Sequence, residues 1–229
     1  MDRDEFIITV YCLVCEHYQV IKDTYPLRRG GFRPALSDEE VITMELCGEY
    51  FKLATDKDLF GYFHTHYAHF FPQLRERTLF VRQAANLWQV KAALQLRLTQ
   101  VSGQSAVRVQ IIDTLPLPVC GYTRSGRDRC FKTLADYGYC AAKKLDYYGF
   151  KLGLRISRWG MITHYPLLPA RPHDIQLLDD LVEGFTGLVP ADKGFIDAFR
   201  QALLLDRHGI FVMTAPRKRM TTPHPPHSH

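Results

Sequence analysis

Apolar and polar positions follow two different rhythms along this chain, and the change falls near residue 104. Before it, apolar residues recur at the spacing of a helix face; after it they come in short runs bounded by glycine and proline. DEFIITVYCLVCEHYQVI (4–21) is apolar enough for a largely buried helix despite its β-branched content. TYPLRRGGFRP (24–34), with two glycines, two prolines and three arginines, is a basic loop, either solvated or touching phosphate. Ser37 and Glu40 form a capping box ahead of VITMELCGEYF and predict a helix start. DKDLFGYFHTHYAHFFP (56–72) predicts an aromatic-rich helix ending at Pro72. RTLFVRQAANLWQVKAALQLRLTQVSG (77–103) predicts the longest helix, edged by Arg77, Arg82, Lys91 and Arg97 and stopped by Gly103.

The second half predicts strands. VRVQIIDTLPLPVC (107–120) reads as a buried strand closed by Pro116 and Pro118, with one carboxylate, Asp113, inside it. DYYGFKLGLRIS (146–157) and MITHYPLLPA (161–170) read as a hairpin that pairs with the Asp113 strand. In RPHDIQLLDDLVEGFTG (171–187), Asp174 is an N-cap candidate ahead of an apolar face at Ile175, Leu177, Leu178, Leu181 and Val182. A short strand ending at Asp192, the helix IDAFRQALLLDRHG and a last strand GIFVMTAP follow. The order β-β-β-α-β-α-β predicts an α/β (α+β) protein, a mixed sheet flanked by helices behind a helical N-terminal region. The expected division is 1–103 helical and a candidate DNA-binding region, 104–219 the sheet domain, and 220–229 a disordered tail rich in proline and histidine.

Composition adds limits rather than a function. With 229 residues and 46% hydrophobic content the chain has material for a real core. A net charge of +5 permits a polyanionic partner without demonstrating one. Six scattered cysteines do not form a disulfide scaffold and read as reduced thiols of a cytosolic protein. No apolar run is long enough for a membrane span, and MDRDEF lacks the basic start of a signal peptide. His64, His66 and His69 are spaced wrongly for one helix face, so they are not expected to bind metal.

Two acids change the picture. A carboxylate inside a strand pattern needs a reason, because burying an unpaired charge is costly. The plain reason for Asp113 is a turn or cap where the strand ends. A second acid in a similar setting, Asp192 in LVPADKGF, opens another. In a mixed sheet the first strand sits centrally and a later one packs beside it, so Asp113 and Asp192 can meet at neighbouring strand ends. Hard oxygen ligands without soft donors suit Mg²⁺ or Mn²⁺. A two-metal site of that kind serves phosphoryl transfer. Between the acids, Arg124, Arg127, Arg129, Lys132, Lys143 and Lys144 alternate with Tyr122, Phe131, Tyr137 and Tyr139. Interleaved basic and aromatic residues suit a nucleic-acid backbone and unstacked bases; a solvated insertion is the alternative.

The ordered set IIDTLPLPV, YYGFKLGL, His173-Asp174 opening a helix, ADKGF and a strand ending in APRKR resembles the catalytic domain of bacterial insertion-sequence transposases with a DDE motif. The nearest group is the IS982 type within the IS4/IS5 assemblage. The resemblance implies a ribonuclease-H-like fold, with Asp113 and Asp192 as the first and second metal-binding aspartates. It places Lys193 and the cluster Arg217, Lys218 and Arg219 against DNA phosphates. It implies double-stranded DNA as partner, at terminal inverted repeats and target sites, and a bacterial, nucleoid-associated location with no membrane. Homo-oligomeric assembly stays open.

The family's third carboxylate is a glutamate on a helix after the last strand, and no acid follows Asp206 here. The chain therefore reads as a transposase cut short, lacking the last helices, with the third acid unknown. Three readings stand: a metal-dependent transposase, a DNA-binding remnant that does not cleave, and a ribonuclease-H-like nuclease recruiting Asp174 or Asp197. One face of the sheet is expected to lie partly uncovered.

Overall fold

The structure, a computed structural model, describes residues 1–24 and 33–215. Most of the basic loop at 24–34, the Arg217, Lys218 and Arg219 cluster and the tail at 220–229 lie outside the described residues. The chain divides into two compact units, Met1–Leu98 and Thr99–His229.

The first unit is helical: α1 (Arg3–Thr24), α2 (Asp38–Tyr50), α3 (Asp56–His66), α4 (Arg77–Asn86) and α5 (Trp88–Val101). The capping box forms as expected, with Ser37 Oγ accepting from Glu40 N–H at 3.1 Å and Glu40 Oε2 accepting from Ser37 N–H at 2.6 Å. Val41, Met44, Cys47 and Phe63 are fully buried in a core that all five helices feed. A buried polar trio fastens three helices together. Asp38 accepts from Tyr18 Oη at 2.7 Å and from Gln83 Nε2 at 2.7 Å, and Gln83 Nε2 also reaches the Leu36 carbonyl at 3.1 Å.

Two predicted helices are shorter than expected. The aromatic helix stops at His66, where Tyr67 turns the chain so that Tyr67 and Phe71 both enter the core. The long helix breaks at Leu87, which leaves the helical path and buries its side chain between α4 and α5. Its N–H bonds the Ala84 carbonyl, a tightened last turn. The periodicity survives the break because both pieces face the same core.

The second unit holds one seven-stranded sheet: β1 (Gln110–Gly121), β2 (Asp136–Cys140), β3 (Leu145–Ser157), β4 (Ile162–His164), β5 (Leu167–Pro169), β6 (Gly187–Ala191) and β7 (Ile210–Thr214). β1 is central, antiparallel to β3 on one side and parallel to β6 on the other, with β7 parallel beyond β6. β2, β5 and β4 share the far edge of β3. With β2 set aside as an insertion and β4 and β5 counted as one broken strand, three antiparallel strands are followed by two parallel ones, with the first strand in the middle. That is the ribonuclease-H-like arrangement. The expected hairpin is thus corrected in part: β4 and β5 pair with β3, not with the Asp113 strand, and Tyr165-Pro166 separates them.

The prolines do not close β1 as expected. β6 ends at Ala191, opposite Ile112, so from Thr114 onward β1 has no neighbour on that side among the described residues. Pro116 and Pro118 sit in this free-edged stretch, where a missing N–H takes nothing from the ladder.

Residues 174–177 form a 3-10 turn that leads into α6 (Leu178–Val182), and α7 spans Ala198–His208. Leu177, Leu178, Leu181 and Val182 pack with Leu204 of α7 against Ile112, Val189, Ile210 and Val212, so both helices cover the same sheet face. Arg155 of β3 is buried there, donating to the Leu181 and Glu183 carbonyls at 3.0 and 2.9 Å and lying 5.2 Å over the Phe185 ring. The alternate residues of β1 point the other way. Ile111, Leu115, Leu117 and Val119 are all exposed, and Met213 of β7 joins them. Among the described residues of this unit no helix covers that face near these side chains.

Candidate active site

Asp113 and Asp192 reach one spot from two strands. β1 and β6 pair with Ile112 opposite Ala191, and the Val109–Leu188 bridge three residues earlier keeps the same register. One step further along the same register come Asp113 and Asp192, on chains that as adjacent strands run about 4.8 Å apart. Asp192 follows β6 directly, and its backbone stays extended (φ −73°, ψ 169°), so side-chain alternation carries through it. Ile112 and Ala191 face the helix-covered core. Asp113 and Asp192 therefore share the open face, where both are exposed.

Neither carboxylate is occupied elsewhere. Asp113 Oδ1 accepts the Thr114 N–H at 2.7 Å, which steadies the side chain without neutralising it. It caps no helix, so the turn-or-cap explanation fails. Asp192 precedes the 3-10 turn Lys193–Phe195 but makes no side-chain cap. Among the described residues neither acid is in an ion pair. Two free carboxylates on adjacent strands fit a hard divalent cation as two of its ligands. Among the described residues no group of three or more His, Cys, Asp or Glu side chains is placed to hold a metal.

The acids named as candidates for a third ligand are engaged elsewhere. Asp174 Oδ1 accepts from Thr114 Oγ1 at 3.1 Å and from Lys151 Nζ at 2.9 Å. Thr114 and Lys151 point to the helix-covered face, opposite Asp113. Asp174 is also not the helix cap predicted for it; its carboxylate ties the 174–177 turn to the sheet, and α6 starts only at Leu178. Asp197 caps α7, accepting the Arg200 N–H at 3.0 Å.

Thr114 and Lys151 were not singled out by the sequence, although each is a polar residue on an otherwise apolar face. Behind the site they hold Asp174, which lies against the turn after Asp192: a methyl at Gly194 would stand 3.0 Å from Asp174 Oδ2. Phe195, 1% exposed, anchors the far end of that turn in the core and leaves Lys193 exposed beside Asp192.

The segment between β1 and β2 touches the open face through Phe131. Arg124 and Arg127 belong to the 3-10 turn Tyr122–Arg127, Arg129 and Lys132 to the loop before β2, and all four are exposed. Phe131 packs edge-on against Phe150 of β3 at 5.4 Å, and Tyr137 meets Tyr122 and Tyr148 at 4.9 and 5.2 Å. Phe150 pairs with Leu117 and Leu154 with Asp113, so Phe150 is on the open face four residues along β3 from the acid. That is about 14 Å at strand rise. Lys143 and Lys144 are exposed where β2 turns into β3, with Lys144 at φ 48°.

In the first unit His64 stacks on Phe60, while His66 and His69 lie tilted against Tyr62 and Phe70. All six cysteines are free. No helix among the described residues is long and apolar enough to cross a membrane.

A central strand between an antiparallel and a parallel neighbour, with two free carboxylates where the parallel pairing ends, defines a ribonuclease-H-like domain. Residues 103–225 match the family model described as Transposase DDE domain, and the chain belongs to that family. Among solved structures it is similar to the piggyBac transposase in a cryo-EM synaptic complex with hairpin DNA, at 15% identity and a TM-score of 0.37. That match covers 96% of this chain and 43% of the other, so the chain spans less than half the length of that transposase. No curated protein matches it.

Proposed function

We propose that this chain carries two of the catalytic carboxylates of an insertion-sequence transposase, of the IS982 type, acting on double-stranded DNA by metal-dependent strand cleavage and transfer. The observation that carries this reading is the pair Asp113 and Asp192, adjacent, unpaired and exposed on one sheet face.

Asp113 and Asp192 would hold the Mg²⁺ or Mn²⁺, which when bound supplies Lewis-acid activation of the attacking oxygen and stabilisation of the leaving oxygen. The protein's own part is positional. The β1–β6 register fixes the spacing of the carboxylates, and the Thr114–Asp174–Lys151 contacts brace the strand and turn that bear them. Lys193, beside the pair, suits a phosphate oxygen. Arg124, Arg127, Arg129 and Lys132, with the exposed Tyr122 and Phe131, offer charge and stacking in the segment between β1 and β2. Lys143 and Lys144 add charge at the β2–β3 turn.

A second reading, a DNA-binding protein that does not cleave, is favoured by one observation: among the described residues no third acid joins the pair. Labelled element-end duplex with Mg²⁺ or Mn²⁺ separates the two when binding and nicking are measured independently. Cleavage predicts nicking that Asp113→Asn or Asp192→Asn lowers at least about a hundredfold while binding persists. Binding without nicking at any metal concentration leaves the second reading.

A further inference from the structure

We propose that the first unit carries its own nucleic-acid site, a cleft along α4 that takes the phosphate backbone of a DNA strand. It rests on the reading of the chain as a DNA-acting protein and extends it to a surface outside the sheet domain.

The cleft holds about 790 Å³, within the size range of ligand sites and far more than one phosphate group fills. Its shape is set by α4. Glu76, Leu79, Arg82 and Asn86 fall at helical spacing along one wall, a run of about 15 Å at helix rise. Arg75 stands just before this helix, and Arg33 comes from the segment ahead of α2. Three arginines from three places thus line one cleft with a single acid, Glu76. None of the three is in an ion pair with a described residue. All three are exposed at the rim, over a floor that includes the buried Phe80 and Leu36.

Guanidinium groups bind phosphate oxygens in a planar fork and cannot lose their charge. A compact anion would need them convergent on one point; arginines spread over three segments around one long cleft suit a polymer of phosphates. The site is also built in advance. Gln83 donates to the Leu36 carbonyl at 3.1 Å and to Asp38 at 2.7 Å, locking the segment beyond Arg33 to the helix that bears Arg82. Little ordering is left for binding to supply. The exposed Leu79 offers apolar contact for sugar or base. Such contacts position a strand without reading its sequence.

The test is fluorescence anisotropy of the full chain with a labelled duplex over a range of KCl concentrations. The triple variant Arg33→Ala, Arg75→Ala, Arg82→Ala is expected to weaken binding at least about tenfold at low salt. It should also flatten the slope of log K against log salt by about 2 to 3, at roughly 0.9 per lost phosphate contact. Lysine at the same positions should restore the slope in large part. An unchanged slope in a triple variant with an unchanged melting temperature overturns the proposal. Wild type that binds poly-glutamate as tightly as duplex also overturns it, in favour of an acidic peptide. Asp113→Asn separates this proposal from the active-site reading. Loss of nicking with the full salt slope kept supports both, whereas nicking that persists in Asp113→Asn sinks the active site and leaves the cleft standing.

Discussion

Cys47 and Glu45 show how burial alone sets chemistry at single positions. Cys47 is fully buried in the helical core, and burial pushes its thiol up to about 12. Cys12 and Cys130 are exposed. Iodoacetamide at neutral pH should therefore label Cys12 and Cys130 in the native protein and reach Cys47 only after denaturation, read by peptide mass spectrometry. Glu45 lies partly buried beside Lys91, 2.8 Å away, and one of its carboxylate oxygens has no partner among the described residues. Burial raises its pKa, and the Lys91 contact only partly opposes that. A raised folded-state pKa favours the protonated form. The stability it contributes is therefore present below the usual carboxylate pKa and is lost as pH rises through the folded value. Glu45→Gln should remove this dependence, giving a flatter profile of denaturation midpoint as pH rises above the usual carboxylate range. Asp113 and Asp192 were legible as residues because acids in strand patterns are rare. Thr114 and Lys151 were not, since a polar residue in a strand normally means a solvent-facing position.

At the scale of elements, β1 and β3 make the longest pairing and leave little tolerance. A methyl at Gly149 would run into the Leu117 carbonyl oxygen and the Val119 amide, both backbone. Gly149→Ala should cost about 1–3 kcal/mol in urea denaturation, while Gly126→Ala, with open space around it, should cost far less. Ser37→Ala removes one arm of the capping box of α2 and should cost about 1 kcal/mol. Sequence periodicity found these elements where one side of each is buried, as in β3, β6, β7 and α7. It failed where tertiary packing overrides local pattern. β2 was hidden in a stretch of glycine, tyrosine and positive charge, because its alternation of Tyr137 and Tyr139 with glycine and cysteine is not apolar against polar. The break at Leu87 left no mark because a helix face continues on both sides. The apolar face from Ile175 to Val182 was read correctly, but the helix shortens to the five residues of α6 behind a 3-10 turn, with Asp174 spent on Thr114 and Lys151 instead of on a cap.

In the second unit α6 and α7 cover one face of the sheet, and among the described residues of that unit no helix covers the other face around the two acids. Exposed Ile111, Leu115, Leu117 and Met213 on that face form the apolar surface a monomer in water rarely leaves open. The isolated chain should bind a hydrophobic dye and associate as concentration rises. Leu115→Lys with Leu117→Lys should reduce both, measured by dye fluorescence and sedimentation velocity, with the melting temperature little changed. A sharply melting monomer that binds no dye would count against an open face.

The register between β1 and β6 has a consequence for how this protein tolerates change. The address of Asp192 is written in backbone hydrogen bonds counted from Val109 and Leu188, not in the side chains around it. Substitutions along β6 can drift while the carboxylate stays in place. A single inserted residue between Leu188 and Asp192 cannot be absorbed so easily, because it turns the acid to the helix-covered side. Point mutation and length mutation should therefore act on this site as different kinds of event, the first graded and the second all or none.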